Sequence, residues 1–172
     1  RKWSYLAPNY SALAQIENAE DLSRREQSEE ALRAFEQAAK QLNETKEALQ
    51  TEIGKIESSE EKQMVVGIVK AATLRSDYCT GRVALEYAKV LDKRGDHYSS
   101  SEKYGSAAEV FERVSHALES EQDLKELKLI FTLSKAWQKM TRAEAEASPT
   151  LYLESSQLFE EAQELSPSEK AK

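Results

Sequence analysis

Residues 59–94, SEEKQMVVGIVKAATLRSDYCTGRVALEYAKVLDKR, decide the fold of this chain. The stretch contains no proline, and its apolar residues recur at helical spacing, as at Val65, Ile68, Ala72 and Cys79. As one unbroken helix it would be about 54 Å long at 1.5 Å per residue. Further apolar residues broaden the stripe, so we expect this helix to lie centrally and to pack against two neighbours.

The composition of the whole chain agrees with long helices. Among 172 residues there are only five glycines and three prolines, whereas sheets and loops need many turn residues. Ala, Glu, Lys, Leu, Arg and Gln are abundant, as is typical of long helices. The sequence therefore predicts an all-α fold.

Capping signals divide the chain into about six antiparallel helices. Four signals predict helix boundaries: Ser58-x-x-Glu61, Gly95 followed by Asp96, Ser120-x-x-Asp123 and Ser148-Pro149. The predicted organisation is a single all-helical domain over residues 1–172. It comprises an N-terminal hairpin at 9–57, the long central helix at 59–94 and further helices at 97–165, joined by connections of two to five residues.

The sequence between Ser166 and Glu169 has the form of another helix start, with Pro167 at the first helical position. The chain also begins at Arg1 rather than at a methionine. We therefore expect it to be a fragment of a longer protein.

Three stretches share the pattern small–x₃–Phe–x₂–small. They are EEALRAFEQAAKQL (29–42), GSAAEVFERVSHAL (105–118) and YLESSQLFEEAQELSP (152–167). The patterned residues are Ala31, Phe35 and Ala38; Ala107, Phe111 and Val114; and Ser155, Phe159 and Ala162. This pattern resembles the second helix of tetratricopeptide (TPR) repeats, and Pro167 falls where those repeats carry a terminating proline. The resemblance implies stacked helical hairpins with buried phenylalanines and a scaffold that binds other proteins.

Residues 84–114, ALEYAKVLDKRGDHYSSSEKYGSAAEVFERV, also resemble the helix–turn–helix of the MIT (microtubule interacting and trafficking) domain. The shared features are Ala and Tyr in the first helix, an Asp-x-x-Gly turn and a second helix rich in Tyr and Ala. This resemblance implies an adaptor that binds tail helices of membrane-remodelling subunits.

Catalytic patterns are weak, and we expect no enzyme activity. His97 and His116 have no further His, Cys or paired carboxylate at ligand spacing, so we expect neither a metal nor a cofactor. Cys79 lies on the apolar stripe and is expected to be a buried structural thiol. Trp137 is expected in the core, whereas Trp3 belongs to a terminal tail.

Four basic residues recur near one face of the central helix and are candidates for partner binding: Arg75, Arg82, Lys89 and Lys93. One interpretation is a solvated face neutralised by salt bridges. The other is an exposed basic groove that binds an acidic peptide, with at least two of the four residues lacking an acidic partner.

The predicted function is non-catalytic protein–protein interaction, in which a partner peptide or helix lies between helices. The alternatives are an MIT-like adaptor and a self-associating helical spacer, which would dimerise whereas a peptide-binding array can be a monomer. The net charge of −7 argues against nucleic acid as the main partner. The chain contains no apolar run long enough to cross a membrane, and its single cysteine favours a reducing compartment, so we expect a cytoplasmic protein.

Overall fold

The computed structural model describes residues 6–166, and over this range the chain forms six helices and no strand. They are α1 (Leu6–Arg24), α2 (Ser28–Ile53), α3 (Ser59–Lys93), α4 (His97–Ser115), α5 (Glu121–Glu146) and α6 (Pro149–Leu165). The predicted all-α fold is confirmed. Trp3 and the helix-start signal at Pro167–Glu169 lie outside the described residues.

The helix boundaries predicted at the four capping signals are confirmed by the hydrogen bonds that form there. The side chains of Ser58, Asp96, Ser120 and Ser148 each accept a hydrogen bond from a backbone N–H three residues later, which satisfies one of the exposed donors at a helix start. Pro149 occupies the first turn of α6, where a backbone donor would have no helical partner.

Gly95 ends α3 in a left-handed conformation with φ +84°. The Asp96 N–H donates to the Leu91 carbonyl at 3.0 Å, and the Gly95 N–H donates to the Asp92 carbonyl at the same distance. This pair of bonds is a Schellman motif, which glycine adopts without the clash that a Cβ atom would cause.

Two predicted limits differ from the structure. α1 begins at Leu6 rather than near Asn9. Pro8 is tolerated in the first helical turn, because a backbone N–H at that position would have no acceptor within the helix. α2 ends at Ile53 rather than near Glu57. Beyond Gly54, the backbone hydrogen bonds join residues three apart rather than four. The Lys55 N–H donates to the Glu52 carbonyl, and the Ile56 N–H donates to the Ile53 carbonyl.

The chain divides into two compact units, residues 1–80 and residues 81–172. The division falls within the sequence of α3. In the first unit, α1 packs against α2 after a three-residue connection. Small residues allow this contact, since Ala12, Ala19, Ala31 and Ala38 are fully buried. The first part of α3 is held by Ser76, which donates to Asn43 at 2.9 Å, and by Tyr78, which donates to Glu20 at 2.8 Å.

In the second unit, the end of α3 and α4, α5 and α6 pack in sequence as antiparallel neighbours. Three serine hydroxyls donate to backbone carbonyls of the adjacent helix: Ser100 to Ala88 at 2.7 Å, Ser101 to Gln138 at 3.1 Å and Ser155 to Ala136 at 2.9 Å. A side chain as short as serine reaches a neighbouring backbone only where the two helices lie close together. Each contact therefore marks a close helix pair.

The residues of the small–x₃–Phe–x₂–small pattern lie in α2, α4 and α6, the second helix of each successive hairpin. Phe35 and Phe111 are fully buried, and Phe159 is half-buried. The patterned small residues, including Ser155 and Ala162, are buried as well. This packing is compatible with a helical repeat.

Gly81 and Gly67 both lie inside the continuous helix α3, yet their surroundings differ. A Cβ atom at Gly81 would lie 2.6 Å from Cε1 of Phe111, whereas a Cβ at Gly67 would meet nothing within 4 Å. The Phe111 ring is fully buried and has little room to move. Gly81 is therefore required for the contact between α3 and α4.

We predict opposite effects of alanine at these two glycines. Gly81→Ala should lower the free energy of unfolding, because overpacking costs about 1–3 kcal/mol and exceeds the gain of about 1 kcal/mol in helix propensity. Gly67→Ala should raise it by about 0.5–1 kcal/mol. Urea unfolding followed by circular dichroism measures both, and an equal stabilisation by the two variants would contradict the Gly81–Phe111 contact.

Candidate functional site

The four predicted partner-binding residues do not form an exposed basic stripe. Arg82 is only 6% exposed and Glu86 is fully buried. Nη2 of Arg82 lies 3.2 Å from Oε1 of Glu86, and Nζ of Lys89 lies 3.1 Å from the same oxygen. The expected exposure of Arg82 is therefore wrong. Glu86 lies one helical turn away and forms ion pairs with both Arg82 and Lys89.

Arg75 and Lys93 differ from this pair. Arg75 is half-buried in the first unit, and Lys93 is exposed at the end of α3 in the second. Neither side chain forms an ion pair with any residue between 6 and 166. Their role in binding a partner remains a prediction.

A cluster of three aromatic rings crosses the second unit from α4 to α6. The rings of Tyr104 and Trp137 stack with centroids 6.3 Å apart and planes inclined by 21°. The rings of Trp137 and Phe159 lie edge to face, with centroids 5.1 Å apart. Both geometries suit the charge distribution of aromatic rings, so the two neighbours hold the indole in place.

Trp137 nevertheless remains 39% exposed, which corrects its expected place in the core. The physical reason is its position on α5. Helix α6 contacts α5 at Ala136, and helix α4 contacts it at Gln138. Trp137 lies between these two contacts, so part of its ring faces solvent.

Three further apolar residues continue the exposed side of Trp137 along α5. Ile130, Leu133 and Met140 lie three to seven residues from Trp137 at helical spacing, and each is half-buried. We call Ile130, Leu133, Trp137 and Met140 the α5 stripe. It is an apolar surface that the helices of this chain cover only in part.

Carboxylates create a negative potential near the inner end of the aromatic cluster. The pKa of the Tyr104 hydroxyl lies above its ordinary value, first because of burial and then because of the charges of Asp92, Glu86 and Glu144. Burial and negative charge both disfavour a phenolate. Tyr104 is therefore a neutral packing residue rather than a base.

His97 lies between two of these carboxylates. Its Nδ1 is 2.9 Å from Oδ1 of Asp92 and 3.2 Å from Oε2 of Glu144. About a third of each of the three side chains is exposed. Sequence spacing does not reveal this group, because Glu144 reaches His97 from α5.

The remaining candidate sites have fewer groups that are available to bind a ligand. Cys79 is fully buried, as expected from its place on the stripe. A cavity of about 300 Å³ lies between α4, α5 and the start of α6. Its charged side chains already form ion pairs, Arg142 with Glu146 and Lys139 with Glu154.

Comparison with protein-family models, with curated proteins and with solved structures gives no match to this chain. No family match therefore supports the TPR or MIT resemblance, and the arguments below rest on the chain's own residues. Among the described residues, no helix is both long and apolar enough to cross a membrane.

The ion pairs of the fully buried Glu86 give a stability prediction. Glu86→Gln removes the charge that Arg82 and Lys89 share, and the loss of one partner in a buried pair costs about 3–5 kcal/mol. Glu146→Gln is the matched control, because Glu146 pairs with Arg142 at the surface, where such a pair contributes under about 1 kcal/mol. Similar unfolding free energies for the two variants would contradict the network's structural role.

Proposed function

We propose that this protein is a non-catalytic protein–protein interaction module that binds an amphipathic helix of a partner along the α5 stripe. The observation that carries the proposal is Trp137. Its ring is held by Tyr104 and Phe159 but keeps 39% of its surface exposed. An exposed tryptophan in a fixed orientation is typical of a binding surface rather than of a core.

The stacking of Trp137 favours binding because the ring is already ordered. A partner that covers it loses little side-chain entropy on this side of the interface. The apolar face of the ring also leaves water when it is covered. Large, rigid aromatic side chains of this kind are often the residues that contribute most to binding free energy.

The dimensions of the α5 stripe favour a helix as the partner segment. From Ile130 to Met140 the stripe extends about 15 Å along α5 at 1.5 Å per residue. A partner helix of about three turns would present apolar side chains at matching intervals. The hairpin packing of α3 to α6 and the resemblance to TPR repeats support the same kind of binding.

The charges of the described residues support a protein partner more than a nucleic acid. Arg82 and Lys89 both pair with Glu86, and the whole chain carries a net charge of −7. These pairs also weaken the argument for a basic groove that selects an acidic peptide. The proposal therefore requires an apolar face on the partner helix and does not require an acidic sequence.

Trp137→Ala tests the proposal against a matched control, Tyr152→Ala. Tyr152 is 40% exposed on α6 and does not belong to the α5 stripe. Peptides are selected from a displayed library of amphipathic helices against the full wild-type chain, and their affinities are measured for both variants. Trp137→Ala should weaken binding by at least about tenfold, as expected for a central aromatic contact, and Tyr152→Ala should leave it unchanged.

Two results would contradict the proposal. One is the failure of the wild-type chain to select any helical peptide. The other is selection of peptides whose affinity for the Trp137→Ala variant equals that for the wild type. A circular dichroism spectrum of each variant establishes that a lost affinity does not arise from unfolding.

A further inference from the structure

We propose that Asp92, His97 and Glu144 form a binding site for a divalent transition-metal ion, with zinc(II) as the best fit. The proposal is independent of the peptide-binding function. It rests on three side chains that come from three different helices and meet at one point. Asp92 lies in the last turn of α3, His97 begins α4 and Glu144 lies near the end of α5.

The distances are close to those of a zinc site. The three candidate donor atoms lie within 4.8 Å of one another, and Nδ1 of His97 lies 2.9 and 3.2 Å from the two carboxylate oxygens. Donors that bind zinc tetrahedrally at about 2.0–2.1 Å are about 3.3 Å apart. Small movements of half-exposed side chains would therefore admit the ion.

Charge favours a divalent cation at this point. Nδ1 of His97 faces the oxygens of two carboxylates. A divalent ion would bind the lone pair of Nδ1 in the neutral tautomer that carries its proton on Nε2, and any proton on Nδ1 would be released to solvent. The charge of +2 would neutralise both carboxylates, and the net charge of −7 on the chain would attract the ion.

The donor set selects the kind of metal. Imidazole nitrogen with carboxylate oxygen suits zinc and its first-row neighbours, whereas magnesium and calcium prefer oxygen donors alone. Three protein donors leave a fourth tetrahedral position for water. Because about a third of each side chain is exposed, that position is accessible to solvent.

The chain provides its own control, since His97 and His116 are its two histidines. His116 is exposed just after α4 and makes no side-chain hydrogen bond or ion pair with residues 6–166. The metal-depleted full chain is titrated with zinc chloride in a calorimeter, for the wild type and for His97→Ala, Glu144→Gln and His116→Ala. A parallel titration with magnesium chloride tests the donor preference.

The wild type and His116→Ala should bind one zinc ion with equal affinity and should not bind magnesium at the same site. His97→Ala and Glu144→Gln should each lower the zinc affinity by at least about tenfold, since even changes outside the ligand set cost that much. Zinc should raise the melting temperature of the wild type and not of these two variants. Glu144→Gln keeps the size of a half-exposed side chain, so it separates loss of a ligand from loss of folding.

Absence of zinc binding to the wild type would overturn the proposal. Equal zinc binding by the wild type and by both ligand variants would also overturn it, because the ion would then be held elsewhere on the chain. Neither result would affect the binding of helical peptides to the α5 stripe. Failure of the metal site and failure of the proposed function are therefore distinguishable.

Discussion

Close contact between neighbouring helices is the constraint on which the second unit depends. At Gly81, the backbone of α3 lies against the ring of Phe111, and no Cβ atom fits between them. Elsewhere a serine occupies the contact and donates to the carbonyl of the adjacent helix. Small residues are required at these points because only they let two helix backbones approach so closely, and the serines also satisfy their own buried hydroxyls.

This close packing determines which side chains remain available at the surface. Helix α5 is contacted by α4 on one side and by α6 on the other, so its remaining face carries the half-covered apolar residues of the α5 stripe. The same arrangement brings the end of α5 to the turn between α3 and α4, where Glu144 meets His97 and Asp92. The proposed peptide surface and the proposed metal site thus have a common structural origin, although each can be tested without the other.

The sequence predicts the helices well because their signals are local. Ser58, Asp96, Ser120 and Ser148 cap helices through bonds to residues only three positions away, and such bonds can be recognised from sequence spacing. The left-handed residue that follows α3 is Gly95, which is easy to recognise, whereas the left-handed residues after α1 and α5 are Glu26 and Ala147. Residues of those two types carry no such signal. Both are exposed, and local bonds close the two helix ends, from the Gln27 N–H to the Leu22 carbonyl and from the Ser148 N–H to the Ala143 carbonyl.

The candidate sites could not be predicted in the same way, because they depend on contacts between distant parts of the chain. The spacing of Arg82 and Lys89 places them on one helix face, but spacing alone does not show that Glu86 is buried beside them. Trp137 lies at an apolar position of α5, and only the positions of α4 and α6 leave its ring half exposed. Glu144 approaches His97 from another helix, which no local motif reveals.

Proton–proton distances in solution test the central claim most directly. A nuclear Overhauser spectrum of the isotopically labelled chain should show cross-peaks between the Gly81 α-protons and the Phe111 ring, and between the Trp137 indole and the Phe159 ring. Together these cross-peaks would establish the close contact of α3 with α4 and the fixed orientation of Trp137. Their absence in a folded, helical sample would contradict the account, because the helices would then be too far apart to hold the proposed surface.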